Sequence, residues 1–396
     1  MDALTTPLPK DWEAVKVEDI FEIITDFSAA GSFAQQSQMV QYTNDRTNYA
    51  QLIRTTELKN GFNNTNAIYI NKEAFEFLWR VNLNSDAIIL PNIGINCGEI
   101  YYVDIKKLIH KHNALAPNAI LLRTKKANLK FLFYAFLDTW FQKQLINIIT
   151  SSAQPKFTKT DLRDLLIPLP PLNEQIAIAN VLSDVDRYLY SLDALILKKE
   201  GVKKALSFEL LSQRKRLKGF NQNWQRVRLG DITHYLTSNL SVEQITQQGK
   251  IKVYDVNNFI GYTDTTFISD KPYISIVKDG SVGRVRILPP KTNILSTMGA
   301  LIANHRTTTE FLFYLLSNFD FKNFTSGSII PHIYFKDYKE RTILLPPLNE
   351  QIAIANILSD LDNEIISLKN KKRQFENIKK ALNHDLMSAK IRVLKK

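Results

Sequence analysis

Residue types that do chemistry are present in this sequence, but few are spaced to do it. Glu57-Leu58-Lys59 has the types that close a metal-dependent nuclease motif, yet no upstream acid is positioned to share the metal. His110 and His112 could face a metal ion, but a tetrahedral site needs further protein ligands and none is spaced to supply them. Cys97 is the only cysteine, which excludes a disulfide scaffold and a multi-cysteine zinc ribbon. No GxxxxGKS or GxxxxGKT run is present to cradle a nucleotide's phosphates. No glycine-rich cofactor loop follows a strand-like run, and no Asn/Asp-Pro-Pro-aromatic stands where an amino-methyltransferase would use one. No Ser/His/Asp arrangement emerges from spacing. The residues give no reason to read the chain as an enzyme, and no cofactor or metal is expected in it.

Charge is the next signal. Lys and Arg number 51 against 39 Asp and Glu, a formal net charge of +12, which suggests a polyanionic partner. The excess is local. Segment 198–218 holds eight basic residues against Glu200 and Glu209, and segment 369–396 holds ten against Glu376 and Asp385. These two runs net +6 and +8, so the rest of the chain nets −2, and any nucleic-acid contact in the globular parts needs local patches. With 44% hydrophobic and 23% charged residues the composition is that of a globular protein, and 396 residues allow two or three domains. No apolar run is long enough to cross a bilayer, and MDALTTPLPKDW lacks the order of a signal peptide, so a cytoplasmic place without a membrane is expected.

The elements that must position any site are organised as a tandem repeat. LPPLNEQIAIAN at 169–180 recurs unchanged at 345–356, an offset of 176, and the match continues without a gap to Lys203-Lys204-Ala205-Leu206 against Lys379-Lys380-Ala381-Leu382. Weaker echoes lie upstream. Trp12…Asp19-Ile20 pairs with Trp224…Asp231-Ile232, FLFY at 131–134 recurs at 311–314, and Pro155 in SSAQPKF matches Pro331 in GSIIPHI. The Trp offset is 212, so the second variable domain is 36 residues shorter, and its differences are expected in loops. The boundaries read as 1–168 and 221–344 for the variable domains, and 169–220 and 345–396 for the repeated segments.

Each repeated segment is predicted to be one helix of about 40 residues, roughly 60 Å long. Asn173 and Asn349 follow Pro-Pro as N-caps, with Glu174 and Glu350 in the first turn. Leu182, Val185, Leu189, Leu192 and Ile196, then Lys199, Lys203, Leu206 and Leu210, step by three and four. So do Leu358, Leu361, Ile365, Leu368, Lys372, Phe375, Lys379, Leu382 and Leu386. This is a heptad seam interrupted by lysines, which snorkel from it or fix its register. The obvious partner for each seam is the other copy, packed antiparallel; the bland alternative folds each helix onto its own domain. The fold expected is α+β, two mixed α/β domains separated by two long antiparallel helices with pseudo-two-fold symmetry. Within the domains, 87–91, 99–103, 119–122, 273–277 and 284–287 read as strands. Segments 129–149 and 309–324 read as helices, and Gly94–Gly98 and Gly280–Gly283 as tight turns.

Two copies of LPPLNEQ leading into long helices, each after a domain that opens with Trp-x6-Asp-Ile, resemble the specificity subunit of a type I restriction–modification system. The resemblance spans nearly the whole chain. It implies that each variable domain is a target-recognition domain reading one half of a bipartite DNA sequence, and that the helices form the spacer between half-sites. It also implies docking of two methyltransferase subunits and a restriction subunit, which would hold the S-adenosylmethionine, ATP and Mg. The identical copies present one surface twice, which suits two identical partners. Asn173, Glu174, Gln175, Leu182, Val185, Leu189 and Leu192, with Asn349, Glu350, Gln351, Leu358, Leu361, Ile365 and Leu368, are the candidate docking and spacer residues; capping and packing are the plainer reading of the same identity. Base readout of double-stranded DNA needs polar side chains on loops that reach base edges. Candidates are Asn96 in the first glycine turn, and Ser152, Gln154 and Lys156 in the SSAQPK loop. In the second domain they are Gly280, Ser281 and Arg284, with Ser326, Ser328 and His332. Arg54, Lys59, Arg286 and Lys291 are candidate phosphate contacts. The rival readings are a coiled-coil scaffold whose globular domains bind protein or RNA, and the recognition half of a modifying nuclease with one partner type.

Overall fold

Each Trp-x6-Asp-Ile signature opens a domain by pairing its first strand with its last. Glu13–Lys16 runs antiparallel to Leu166–Leu169, and Gln225–Arg228 to Thr342–Leu345, each with an apolar pair at its centre, Val15 against Ile167 and Val227 against Ile343. Each domain is thus tied off directly before its Pro-Pro step. The structure, a computed structural model, describes residues 8–62 and 64–393. Asn63, residues 1–7 and residues 394–396, with Lys395 and Lys396 of the second basic run, lie outside the described residues. The chain divides into two compact units, one of residues up to 191 together with those from 372, the other of residues 192–371.

In the first unit a four-stranded antiparallel sheet runs 23–26, 119–123, 87–91, 101–103. Beside it lies a three-stranded sheet, 68–70, 50–53, 113–115, whose last pair is parallel. The continuous apolar run Ala87-Ile88-Ile89-Leu90 is explained by burial on both faces. Ile88 and Leu90 pack with Ile120, Leu122, Phe131 and Phe136, whereas Ala87 and Ile89 pack with Leu52, Ile53, Leu115 and Leu121. The second unit repeats this strand for strand. Its four-stranded sheet runs 233–237, 298–303, 273–277, 285–288, and its three-stranded sheet 259–263, 251–254, 293–294, again with one parallel pair. Ile274 and Ile276 face Phe311 and Leu312 on one side, while Tyr273 and Val277 face Ile294 and Met298 on the other.

Several expected elements are trimmed or split. The strands at 99–103 and 284–287 are Tyr101–Val103 and Val285–Leu288. The run 129–149 is two helices, Leu129–Phe136 and Thr139–Ile148, because Asp138 caps the second by accepting from the Trp140 N–H. The run 309–324 is a helix, Thr309–Ser317, then a 3-10 turn, Lys322–Phe324. The greater length of the first domain is not only loop. Between strands 23–26 and 87–91 it carries helices Phe33–Met39, Thr55–Asn60 and Lys72–Phe77, where the second domain has only the short turn Val242–Gln244.

Both repeated segments are unbroken helices of 40 residues, Leu172–Leu211 and Leu348–Met387. They begin two residues earlier than an Asn cap requires. The Pro171 and Pro347 carbonyls already accept from the Gln175 and Gln351 amides, so Asn173 and Asn349 sit inside the first turn, their side chains accepting from Glu174 and Glu350 N–H at 2.9 Å. In the first unit the head of the first helix meets the tail of the second. Asp186 pairs with Lys379 at 2.5 Å and Tyr188 packs on Phe375, so the segments run antiparallel. In the second unit the tail of the first helix meets the head of the second, with Lys199 on Glu364 at 2.8 Å and Lys203 on Asp362 at 2.5 Å, again antiparallel. The seam is buried at Leu182, Leu192, Ile196, Leu358 and Ile365, and half-buried at Val185, Leu189, Leu361 and Leu368. The lysines that interrupt it are ion-paired: Lys379 also lies over the Tyr134 ring and Lys203 over Tyr314. The two tyrosine hydroxyls donate to the same aspartates, Asp186 at 2.7 Å and Asp362 at 2.9 Å.

The identical Asn-Glu-Gln residues have an internal task. Glu174 accepts from the Trp12 indole at 3.2 Å and is clamped by the Arg392 guanidinium at 2.5 and 2.7 Å. Glu350 accepts from Trp224 at 2.9 Å and from Arg216 at 2.7 and 3.2 Å. Gln175 donates to the Pro170 carbonyl and accepts from the Asn128 amide, which caps the FLFY helix; Gln351 does the same with Pro346 and Thr308. All four side chains are buried, so Glu174, Gln175, Glu350 and Gln351 are not docking residues on the surface. Sequence identity here is imposed by packing inside each unit.

Removing one partner of a buried charge pair leaves the other uncompensated, at a cost of about 3–5 kcal/mol. Glu350→Ala is expected to destabilise the second unit by about that much and to leave the first nearly untouched, with Glu174→Ala doing the reverse. Hydrogen exchange resolved by unit checks this; equal loss of protection in both units would contradict a local clamp.

Candidate nucleic-acid interface

In each unit the two loops singled out by sequence meet. In the first, the Gly94 amide donates to the Pro155 carbonyl at 2.9 Å, and Ile93 bridges to Lys156. In the second, the Gly280 amide donates to Pro331 at 2.9 Å, and Asp279 bridges to His332. The glycine turns are closed alike, Gly98 donating to Pro91 and Gly283 to Val277, each at 2.9 Å. Gly94 and Gly280 have φ of 91° and 85°, which a side chain would strain, and a Cβ placed on either would meet nothing within 4 Å, so that side of the backbone stands open. The second loops are short hairpins: the Thr150 amide reaches the Lys156 carbonyl at 3.0 Å, and the Ser326 amide reaches His332 at 2.9 Å.

Around the first pair the structure gathers Lys59, Asn96, Ser152, Gln154 and Lys156. The Lys59 ammonium bridges the Asn96 side chain at 2.8 Å and Glu99 at 2.7 Å, which fixes Asn96 at the turn. Burial pushes the Glu99 carboxyl up, but hydrogen bonds from Lys59 and Tyr101 and the Lys59 charge outweigh it and hold the group below the usual range. Ser152 donates to the Gln154 carbonyl at 2.7 Å, and Gln154 and Lys156 are exposed. Around the second pair stand Gly280, Ser281, Arg284, Ser326, Ser328 and His332, with His332 on Asp279 at 2.6 Å and Arg284 exposed.

Three candidates lie elsewhere or are already occupied. Arg54 is bound to the buried Glu57 at 2.6 and 2.9 Å and to the Asn66 carbonyl, so its guanidinium serves the domain; the Glu57 bonds push its pKa up. Arg286 lies over the Tyr254 ring and donates to the Asn257 carbonyl. Lys291 follows the far end of the strand pair whose other end carries the Gly280 turn, so it is separated from that loop. The metal-like residues are likewise engaged. Glu57 holds Arg54, His112 stacks on Tyr49 at 4.3 Å, and His110 contacts the His112 carbonyl. Burial and the Lys111 charge hold His112 below its ordinary range. Among the described residues no group of three or more His, Cys, Asp or Glu could hold a metal ion, and no helix is long and apolar enough to cross a membrane.

Sequence reasoning missed the two arginines of the clamp. Arg216 and Arg392 stand at the same offset of 176, as do Gln213 and Ala389, both at positive φ. The repeat therefore extends past Leu206 and Leu382, and following the offset alone would have found them.

The model of the type I restriction modification DNA specificity domain matches residues 9–199 and again 221–377. The chain belongs to that family. Two relatives come from Methanocaldococcus jannaschii. A specificity subunit inferred for the MjaX type I restriction enzyme is 28% identical over 98% of this chain and 95% of its own. The type I restriction enzyme MjaVIII specificity subunit is 24% identical over 98% and 94%. Among solved structures, the type I S subunit from M. genitalium superposes with a TM-score of 0.61 at 19% identity, covering 96% of this chain and 98% of that one. A chain from work on complex assembly and conformational transition of the type I restriction–modification system gives 0.57 at 14%, covering 96% and 99%. Those two likenesses speak to the fold. Family membership makes this specificity chain a DNA-recognition subunit and not a catalyst, and sets aside the scaffold reading.

If the loop pairs face the duplex, removing one cation that neutralises a phosphate makes the slope of log affinity against log salt shallower by about 0.9. With Arg54 and Arg286 occupied, the exposed Lys156 and Arg284 take the phosphate role in place of the base readout expected of them, so Lys156→Ala and Arg284→Ala are expected to do this on all sequences alike, whereas Arg54→Ala lowers stability and leaves the slope unchanged. A salt titration of duplex binding by the reconstituted assembly checks both.

Proposed function

We propose that the chain reads a bipartite, interrupted target in double-stranded DNA, one half-site through the loops at Gly94–Gly98 and 150–156, the other through those at Gly280–Gly283 and 326–332. The observation that carries this is the doubling itself. Two domains share strand order, clamp and loop closure, yet differ at nearly every loop tip. Identical scaffolds with unlike tips suit one task performed on two different sequences.

The chain assembles with methyltransferase and restriction subunits, two of the former, and these partners hold the S-adenosylmethionine, ATP and Mg. The repeated segment supports a pair of equal docking sites once its buried residues are set aside. Leu172 and Ile176 in the first unit, and Leu348 and Ile352 in the second, are 43–54% exposed at matching positions beside the buried glutamates. Half-exposed aliphatic residues on a helix head are what a partner helix can cover.

The test is methylation mapping of a host carrying the chain with its partners. One interrupted motif is expected, and replacement of residues 13–169, bounded by the closing strand pair, by another reader should change one half of that motif only. Change of both halves, or methylation by the isolated chain, would refute the reading. Leu348→Asp with Leu172→Asp is expected to lower the number of bound methyltransferase subunits in a native mass measurement without loss of folding.

A further inference from the structure

The hydrogen-bonding residues leave one feature of the loop pairs unexplained. Ile95 stands at the tip of the Gly94–Gly98 turn and is 96% exposed. In the second unit the matching position is Ser281, and the aliphatic tip moves to the other loop, where Ile329 is 92% exposed in place of Ala153. The loop pair of each unit therefore presents one almost fully bare isoleucine, flanked in the second by the half-exposed Ile330. A lone exposed aliphatic residue is ordinary on a protein surface. These two differ in their setting. Ile95 rides a turn braced by the Cys97-to-Gly94, Gly98-to-Pro91 and Gly94-to-Pro155 bonds, and its neighbour Asn96 is fixed by Lys59. Ile329 rides a hairpin closed in both directions between Ser326 and His332, at 2.9 and 2.7 Å, with Ser328 beside it. In that hairpin Gly327 has φ of 89°, and a Cβ there would come within 2.3 Å of the Ile330 carbonyl, so the backbone is specialised to hold the tip.

We infer that Ile95 and Ile329 are base readers that contact the C5 methyl of a thymine in the major groove, one in each half-site. The inference rests on the loop pairs being the DNA-facing surface proposed above. Thymine alone among the four bases shows a methyl group in that groove, and an aliphatic side chain is its natural complement. A β-branched side chain has few χ1 rotamers to lose, so it is pre-set for such a contact. Cytosine has a hydrogen where thymine has the methyl group and sets an N4 donor beside it, so the same tip loses its apolar contact there and offers the amine no acceptor.

The probe is deoxyuridine, which removes the methyl group and nothing else. With the target known from methylation mapping, each thymine is replaced in turn and affinity of the reconstituted assembly is read by fluorescence anisotropy. One thymine in each half-site is expected to lose about four-fold on replacement, the worth of one buried methyl group. Ile95→Ala should abolish that loss in one half-site and Ile329→Ala in the other, with no shift in melting temperature, since both side chains are exposed. Deoxyuridine that is silent at every position, or alanine variants that keep the full preference for thymine, would overturn the inference. Lys156→Ala and Arg284→Ala separate the two levels. If they weaken binding and the isoleucine variants do not alter the thymine preference, only this inference fails; if they too are silent, the loop surface itself is misplaced.

Discussion

A buried carboxylate held by an indole and a guanidinium is the interaction on which both units depend. Glu174 and Glu350 are each fully withdrawn from water, and a charge in that position is tolerated only when paired and hydrogen-bonded. The partners come from distant parts of the chain: a tryptophan that opens the domain, and an arginine that follows a long helix. One side chain thereby fixes where the domain begins, where the helix begins and where the other helix ends. The neighbouring glutamine extends the same junction to the cap of the FLFY helix. The identity of Glu174-Gln175 with Glu350-Gln351 follows from this requirement, because each of these four buried side chains has its partners within the junction.

Much of the architecture was legible because it is periodic or repeated. The two long helices, their apolar seam and the antiparallel pairing could be read from a stepping of three and four without proline, and the structure keeps each helix whole over 40 residues. The match of Pro155 with Pro331 marked the second loops as equivalent, but that their carbonyls close on the two glycine turns emerged only on folding. What failed was anything that depends on which polar group a side chain meets. Arg54 and Arg286 read as free cations because Glu57, the Asn66 and Asn257 carbonyls and the Tyr254 ring come near only on folding. Glu174 and Gln175 read as surface because an acidic first turn usually is. Asn173 read as a cap because the Pro171 carbonyl, which starts the helix, leaves no mark in composition.

The lysines in the seam show how a polar interruption can be specific without being exposed. Lys203 and Lys379 each reach an aspartate that also accepts from a tyrosine of the domain. That three-way contact is possible at one register only, since sliding the helices by a turn would strand both charges. Apolar seams alone tolerate such slips more readily. The helices are therefore registered to the domains as well as to each other within each unit.

The partition of the chain has a consequence for how the molecule is made. The second unit is drawn from one uninterrupted stretch, 192–371, whereas the first needs residues 372–393 to finish it, among them Asn383 on Tyr134 and Arg392 on Glu174. On the ribosome the domain that emerges earliest must wait, its tryptophan and glutamate lacking their cation, until the whole of the later unit has been translated. Folding of that later unit brings the two ends of the earlier one back within reach, because a compact insert closes a shorter loop than an unfolded one. The half that is born first is thus the half that is sealed last.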